Sequence, residues 1–173
     1  MSRLEFTILY LLAKVKEKEI DDLSKYQIMK LIYLLEIESR KFTGEGFIDS
    51  ISFYRHDRGP ISYDIYTALK NLENKNYIRM KTTKKPNYPY PRHGFSIKKL
   101  PKKIELDDSE KIFLNSVFES YIGLTLNKLG RVTYSSEPMK EILKEEQKTG
   151  KISEGSPLNL NSVSLDQEIV DLF

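Results

Sequence analysis

The stretch SYDIYTALKNLENKNYIRMKT, Ser62 to Thr82, decides how the chain is read. Ile65, Ala68, Leu69 and Leu72 recur at helical spacing and make one apolar stripe. Ser62 is placed to cap that helix, with Ile61 and Tyr66 in staple positions and Asp64 favourable to the dipole in the first turn. Asn76 suits a left-handed terminator. Alternation then takes over: Tyr77, Arg79 and Lys81 fall on one face of a strand and Ile78 and Met80 on the other. Phe95 and Ile97 mark the return strand. Between the strands lies Lys84-Lys85-Pro86-Asn87-Tyr88-Pro89-Tyr90-Pro91-Arg92, a loop stiffened by three prolines.

Upstream, Arg3 to Val15 is apolar and free of breakers, which predicts a buried helix. Glu17–Asp22 connects it to a second helix. Ser24 and Gln27 have capping-box spacing, and Leu23 and Ile28 can staple across the cap. Ile28, Leu31, Ile32 and Leu35 share a face, with Lys30 and Glu38 assigned elsewhere, and the helix is expected to end near Arg40. Ile51, Phe53 and Arg55 alternate with Ser52, Tyr54 and His56, so a short strand is predicted before Gly59-Pro60 breaks it.

The order helix, helix, strand, capped helix, hairpin predicts a mainly helical α+β fold: a winged-helix-like core whose hairpin is a long basic wing. A plainer reading is a generic α+β domain with a hairpin. Residues 1–103 would form that core. Residues 104–173 would form a helical part packed on it, the two together making one domain. In that second part Asp107 and Glu110 have capping spacing. Gly123 and Thr125 suggest a restart before Leu126–Leu129, and Ser136-Glu137-Pro138 opens another helix. Ser164 and Gln167 repeat the capping spacing before Ile169, Val170, Leu172 and Phe173, a cluster expected to dock on the core.

The chain has 173 residues, 39% apolar and 31% charged, enough for a real core. It has no cysteine, which removes disulfides, thiolate ligands and a Cys nucleophile and fits a reducing cytoplasm. The apolar run Phe6–Val15 is too short to span a bilayer and lacks a small-residue cleavage site, so neither a membrane span nor a signal peptide is expected. Net charge is +3, unevenly spread. Residues 1–76 balance; residues 77–103 hold nine Lys or Arg and no acid; residues 104–173 carry a net −6.

The basic hairpin is the most specific chemical feature. Lys84, Lys85, Arg92, Lys98 and Lys99 lie beside Tyr88, Tyr90 and His93. Such cations can neutralise phosphates while tyrosines stack on bases. Outward positions of the capped helix include Thr67, Lys70, Asn71 and Asn74, and Asn71 could read adenine. Asp64 and Glu73 oppose that, because both repel phosphates. An arm that grips an acidic protein and a hairpin that only keeps the chain soluble remain the alternatives. Arg55-His56-Asp57-Arg58 looks like an acid–base cluster, but on a strand His56 and Asp57 would point apart, so a structural role is expected. His56 and His93 are the only histidines, and no carboxylate pair has ligand spacing, so no metal or cofactor is expected. Gly44-Glu45-Gly46 lacks the third glycine of a phosphate loop. Tyr33, Tyr63 and Tyr66 are read as packing.

Several short pieces together resemble the Panacea (SocA-like) antitoxin domain. They are Met29-Lys30-Leu31-Ile32-Tyr33-Leu34-Leu35, Phe53 before Gly59-Pro60-Ile61-Ser62, Ile65-Tyr66 with Leu69 and Leu72, and Val132-Thr133-Tyr134 with Glu137-Pro138. The family often has His at the place of Tyr134 and Trp at that of Met139. The resemblance implies a non-enzymatic antitoxin or adaptor that binds and neutralises a toxin-like protein, with no catalytic residue carried over. A winged-helix DNA-binding regulator is the alternative.

Overall fold

Apolar residues cover every side of the first helix, α1 (Arg3–Glu17), and that helix sits in the middle of the core. Its start is fixed by a reciprocal cap between Ser2 and Glu5. The computed structural model describes residues 1–48, 50–103 and 105–166, and the predicted Ser164–Gln167 cap and the Ile169–Phe173 cluster lie wholly or partly outside them. After α1 come β1 (Leu23–Ser24), α2 (Lys25–Thr43), α3 (Tyr63–Asn74), β2 (Ile78–Thr83) and β3 (Arg92–Ile97). The last third holds α4 (Asp108–Tyr121), α5 (Leu126–Tyr134), α6 (Glu137–Thr149) and a 3-10 turn, Leu160–Ser162. The fold is α+β and mainly helical, as the sequence predicts.

The caps behave as their chemistry requires. Gln27 donates its amide to the Ser24 hydroxyl at 3.2 Å and Ser24 returns its own to Gln27 Oε1 at 2.9 Å. Asp107 and Glu110 do the same for α4, each bond 2.8 Å. α2 runs three residues past Arg40, to Thr43, because Gly44 with φ +80° supplies the left-handed stop. Asn76, φ +62°, closes α3 as expected. Ser62 stands at the N-cap of α3 but makes no side-chain cap bond.

The sheet is antiparallel in the order β1-β3-β2. Leu23 pairs with Phe95, and Ile78 and Met80 pair with Ile97 and Phe95. The predicted hairpin is therefore present, with its register set by the apolar residues. β3 is central and β2 is an edge.

The predicted strand at Ile51–Arg55 is corrected in its pairing. Its alternation holds, since Ile51, Phe53 and Arg55 are buried. Among the described residues it joins no sheet, and instead Tyr54 bridges Ile61 on one side and Pro157 on the other. Arg55 donates to Ser156 O and Leu158 donates to Phe53 O, both at 2.8 Å, so a distant loop lies along this segment. The breaker Gly59-Pro60 leaves too few residues for a ladder, and the backbone groups are satisfied by residues 155–158 instead.

α4 and α5 pack on α2, and α6 packs on α5 and the 3-10 turn. Among the described residues no helix is long and apolar enough to cross a membrane.

Candidate functional site

The outer face of α3 and the hairpin is open to solvent. Thr67, Lys70 and Asn71 are exposed, Thr67 donating to Tyr63 O at 3.0 Å along its own helix. Residues 79–91 are all exposed, Tyr88 at 72% and Tyr90 at 66%. Between α3, the start of α2 and the sheet runs a shallow groove lined by Lys25, Tyr66, Leu69, Lys70, Glu73, Met80 and Phe95. Lys25 lies over the Tyr66 ring at 5.1 Å. Tyr63 and Tyr66 thus correct the packing assignment: both are exposed, and only Tyr33 is core. They flank the apolar stripe of α3, with Tyr63 5.5 Å from the Tyr54 ring and 6.3 Å from that of Tyr66.

The basic residues divide into two sets. Arg92 is held by Asp22, Lys98 donates to Asn76 Oδ1, and Lys99 lies 4.9 Å over the Tyr77 ring. These three brace the base of the hairpin. Gly94 permits the Arg92–Asp22 pair, because a Cβ there would meet the Asp22 carboxylate at 2.5 Å. Arg79, Lys81, Lys84 and Lys85 have no ion-pair partner among the described residues. No hydrogen bond, ion pair or ring contact among the described residues ties Lys84 or Lys85 to α3. Tyr90 instead leans back to Arg58, whose guanidinium lies 5.5 Å over its ring.

A second set of charges is buried, and sequence reading missed most of it. Lys30 is 1% exposed. Its ammonium donates to Pro60 O at 2.9 Å and stands 4.9 Å over the Tyr26 ring. No carboxylate pairs with it among the described residues. Burial pulls its pKa down to about 7; Arg55 adds to the fall and Asp57 opposes it. Gly59, φ +92°, lies against it: a Cβ would meet Lys30 Nζ at 3.0 Å and the Tyr134 ring at 3.2 Å. Arg55, also buried, pairs with Glu146 of α6 at 2.9 Å, and Tyr134 donates to Asp57 O at 3.2 Å. The signal for Lys30 was available, since Tyr33, Leu34 and Ile37 follow it at i+3, i+4 and i+7 on a buried face.

Glu36 is fully buried as well. Its Oε1 accepts from the Ile48 amide at 2.8 Å, while Oε2 and the neighbouring Arg40 Nε have no hydrogen-bond partner among the described residues. Burial pushes its carboxyl up to about 7, against the pull of the Ile48 amide and Arg40.

His56 and Asp57 do not point apart. His56 is followed by a turn, not a strand, and its Nδ1 meets Asp57 while Nε2 lies 3.5 Å from Glu154. Ligand atoms of the three lie within 4.8 Å of one another. The two carboxylates face opposite ring nitrogens of His56.

The short motifs that resemble one family therefore meet in space: Lys30 under Pro60, Gly59 against Tyr134, and Tyr33 bonded to Ser136 at 2.7 Å. No curated protein and no solved structure matches the chain. The family model described as antitoxin SocA-like, Panacea domain, matches residues 28–139, well over half of the sequence and the whole of this convergent region. The chain belongs to the SocA-like Panacea antitoxin domain family.

Proposed function

We propose that this chain is a non-enzymatic antitoxin or adaptor that binds and neutralises a toxin-like protein in the cytoplasm. The family match over residues 28–139 carries the reading, since that family suggests a toxin–antitoxin-related role. The surface supports it. The groove between α3 and the sheet, with Tyr63 and Tyr66 exposed beside it, offers apolar area next to unpaired cations. Lys70, Lys84, Lys85, Tyr88 and Tyr90 belong to the binding surface, with Thr67 and Asn71 on the adjoining turn. Arg92, Lys98 and Lys99 hold the hairpin in place.

Co-expression with the product of the adjacent gene tests this. Restored growth and a stable co-purified complex are expected. Failure of both for each neighbouring gene product rejects the reading.

One observation favours a second role. The order α1-β1-α2-α3-β2-β3 with sheet order β1-β3-β2 supports a winged-helix reading, and its hairpin carries Arg79, Lys81, Lys84 and Lys85 without ion-pair partners among the described residues. Duplex binding by this wing would weaken with salt. Each cation that neutralises a phosphate would, on substitution to Ala, flatten the log–log slope by about 0.9. An unchanged slope in the fourfold Ala variant rejects DNA binding through the wing.

A further inference from the structure

The outer edge of β2 is an open hydrogen-bonding rail. β2 pairs only with β3 among the described residues. Its register shows which backbone groups are free. Lys98 N donates to Tyr77 O at 2.8 Å. Alternation along an antiparallel ladder then turns the N–H and C=O of Arg79, Lys81 and Thr83 toward β3 and those of Met80 and Thr82 outward. The close Thr82–His93 side-chain approach, 3.1 Å, fits a pair without backbone bonds between them. Ile78 is buried, so the open edge begins at Met80, and residues 79–91 are exposed.

Proteins usually close such an edge, or load it with charge. This one is loaded with a single sign. Arg79 and Lys81 project from one face of β2, and Lys84 and Lys85 follow at its end, all without acidic partners among the described residues. A second copy of the same edge would be repelled. The other face carries Met80, which lines the groove with Tyr66 and Leu69, flanked by Lys25 and Lys70.

We infer that β2 accepts a partner strand: an extended, acidic segment of the bound protein that pairs with the Met80 and Thr82 backbone. Its carboxylates would meet Arg79 and Lys81, and an apolar side chain would enter the groove beside Tyr66 and Met80. This names the chemistry of the partner and rests on the protein-binding role proposed above, but a peptide tests the edge without any toxin.

The probe is a ten-residue alternating Val–Glu peptide with blocked ends, titrated into the full chain and followed by amide hydrogen exchange. The Met80 and Thr82 amides should become protected, while those of Arg79 and Lys81, already bonded to β3, stay as they were. Thr82→Pro removes one outward N–H and spares the β2–β3 bonds, so it should weaken peptide binding at least tenfold. Thr82→Val keeps that N–H and should bind as wild type. Retained protection of Arg79 and Lys81 in Thr82→Pro shows that the hairpin still forms; if it is lost, protection of Met80 and Thr82 in the wild-type complex decides. Equal binding of a Val–Lys peptide, binding without protection at Met80 and Thr82, unchanged affinity in Thr82→Pro, or no binding at millimolar peptide overturns the inference. Rescue from a toxin combined with any of those results leaves the antitoxin role standing and removes only the edge.

Discussion

Two groups of cations stand at opposite ends of the molecule's polarity. Lys30 is buried against Gly59-Pro60, and Arg55 is buried beside the Tyr134 ring and matched by Glu146. Arg79, Lys81, Lys84 and Lys85 are exposed and have no ion-pair partner among the described residues. A buried charge has to be reconciled with its surroundings by hydrogen bonds, pairing or a displaced pKa. An exposed one need not be, and is free to meet something else. The contrast separates residues that hold the fold from residues proposed to meet a partner, although all six have the same sign.

The largest effect should come from breaking the buried set. Glu146→Ala leaves Arg55 buried and unpaired, with side-chain exposures of 7% and 12% for the pair. Removing one partner of a buried pair costs about 3–5 kcal/mol. Urea unfolding should show that loss at unchanged m-value. Replacing Arg55 and Glu146 together with apolar residues should recover much of it.

Protonation sharpens the comparison. Lys30 titrates near 7 in the folded chain against 10.5 otherwise, so above pH 7 the unfolded chain binds more protons and stability rises with pH up to about pH 10. Glu36 has its value raised from 4.5 to about 7, so its contribution is full below pH 4.5 and fades as pH climbs to 7. Together they place a minimum of stability near neutrality, each limb having a slope of at most about 1.4 kcal/mol per pH unit. Unfolding free energies at intervals from pH 4.5 to 10 measure it. Lys30→Met should flatten the alkaline limb and Glu36→Gln the acid one. A profile identical to wild type in both variants rejects the assignment.

Gly59→Ala comes next. It places a Cβ at positive φ and crowds Lys30 and Tyr134, for a cost of about 1–2 kcal/mol by thermal melting. The smallest change should be in the hairpin loop, where Lys84→Ala with Lys85→Ala should alter stability by less than about 0.5 kcal/mol. The same pair should weaken binding of a toxin, which a titration reads directly.

Local chemistry was legible in the sequence. Ser24 with Gln27 and Asp107 with Glu110 announced their helices because a cap involves residues three apart. The hairpin was legible because alternation and prolines are also local. Burial of Lys30 was readable from its spacing to Tyr33, Leu34 and Ile37, yet its charge directed attention outward. Arg55 with Glu146, and His56 with Glu154, were not readable, since their partners arrive from the far end of the chain. The strand at Ile51–Arg55 fell between the two. Its alternation was correct, while its neighbours came from residues 155–158, which no nearby pattern foretells. In the site, Tyr63 and Tyr66 were assigned to the interior because aromatic residues usually bury themselves.

The loop that lies along Phe53 and Arg55 works as a clasp. A gene shortened after residue 103 would make a product with bare amide and carbonyl groups at those positions and an Arg55 guanidinium without Glu146. The smallest fragment worth expressing therefore runs through Leu160, and a fusion carrying only the first three helices and the hairpin would import the basic loop without the part that keeps its scaffold shut.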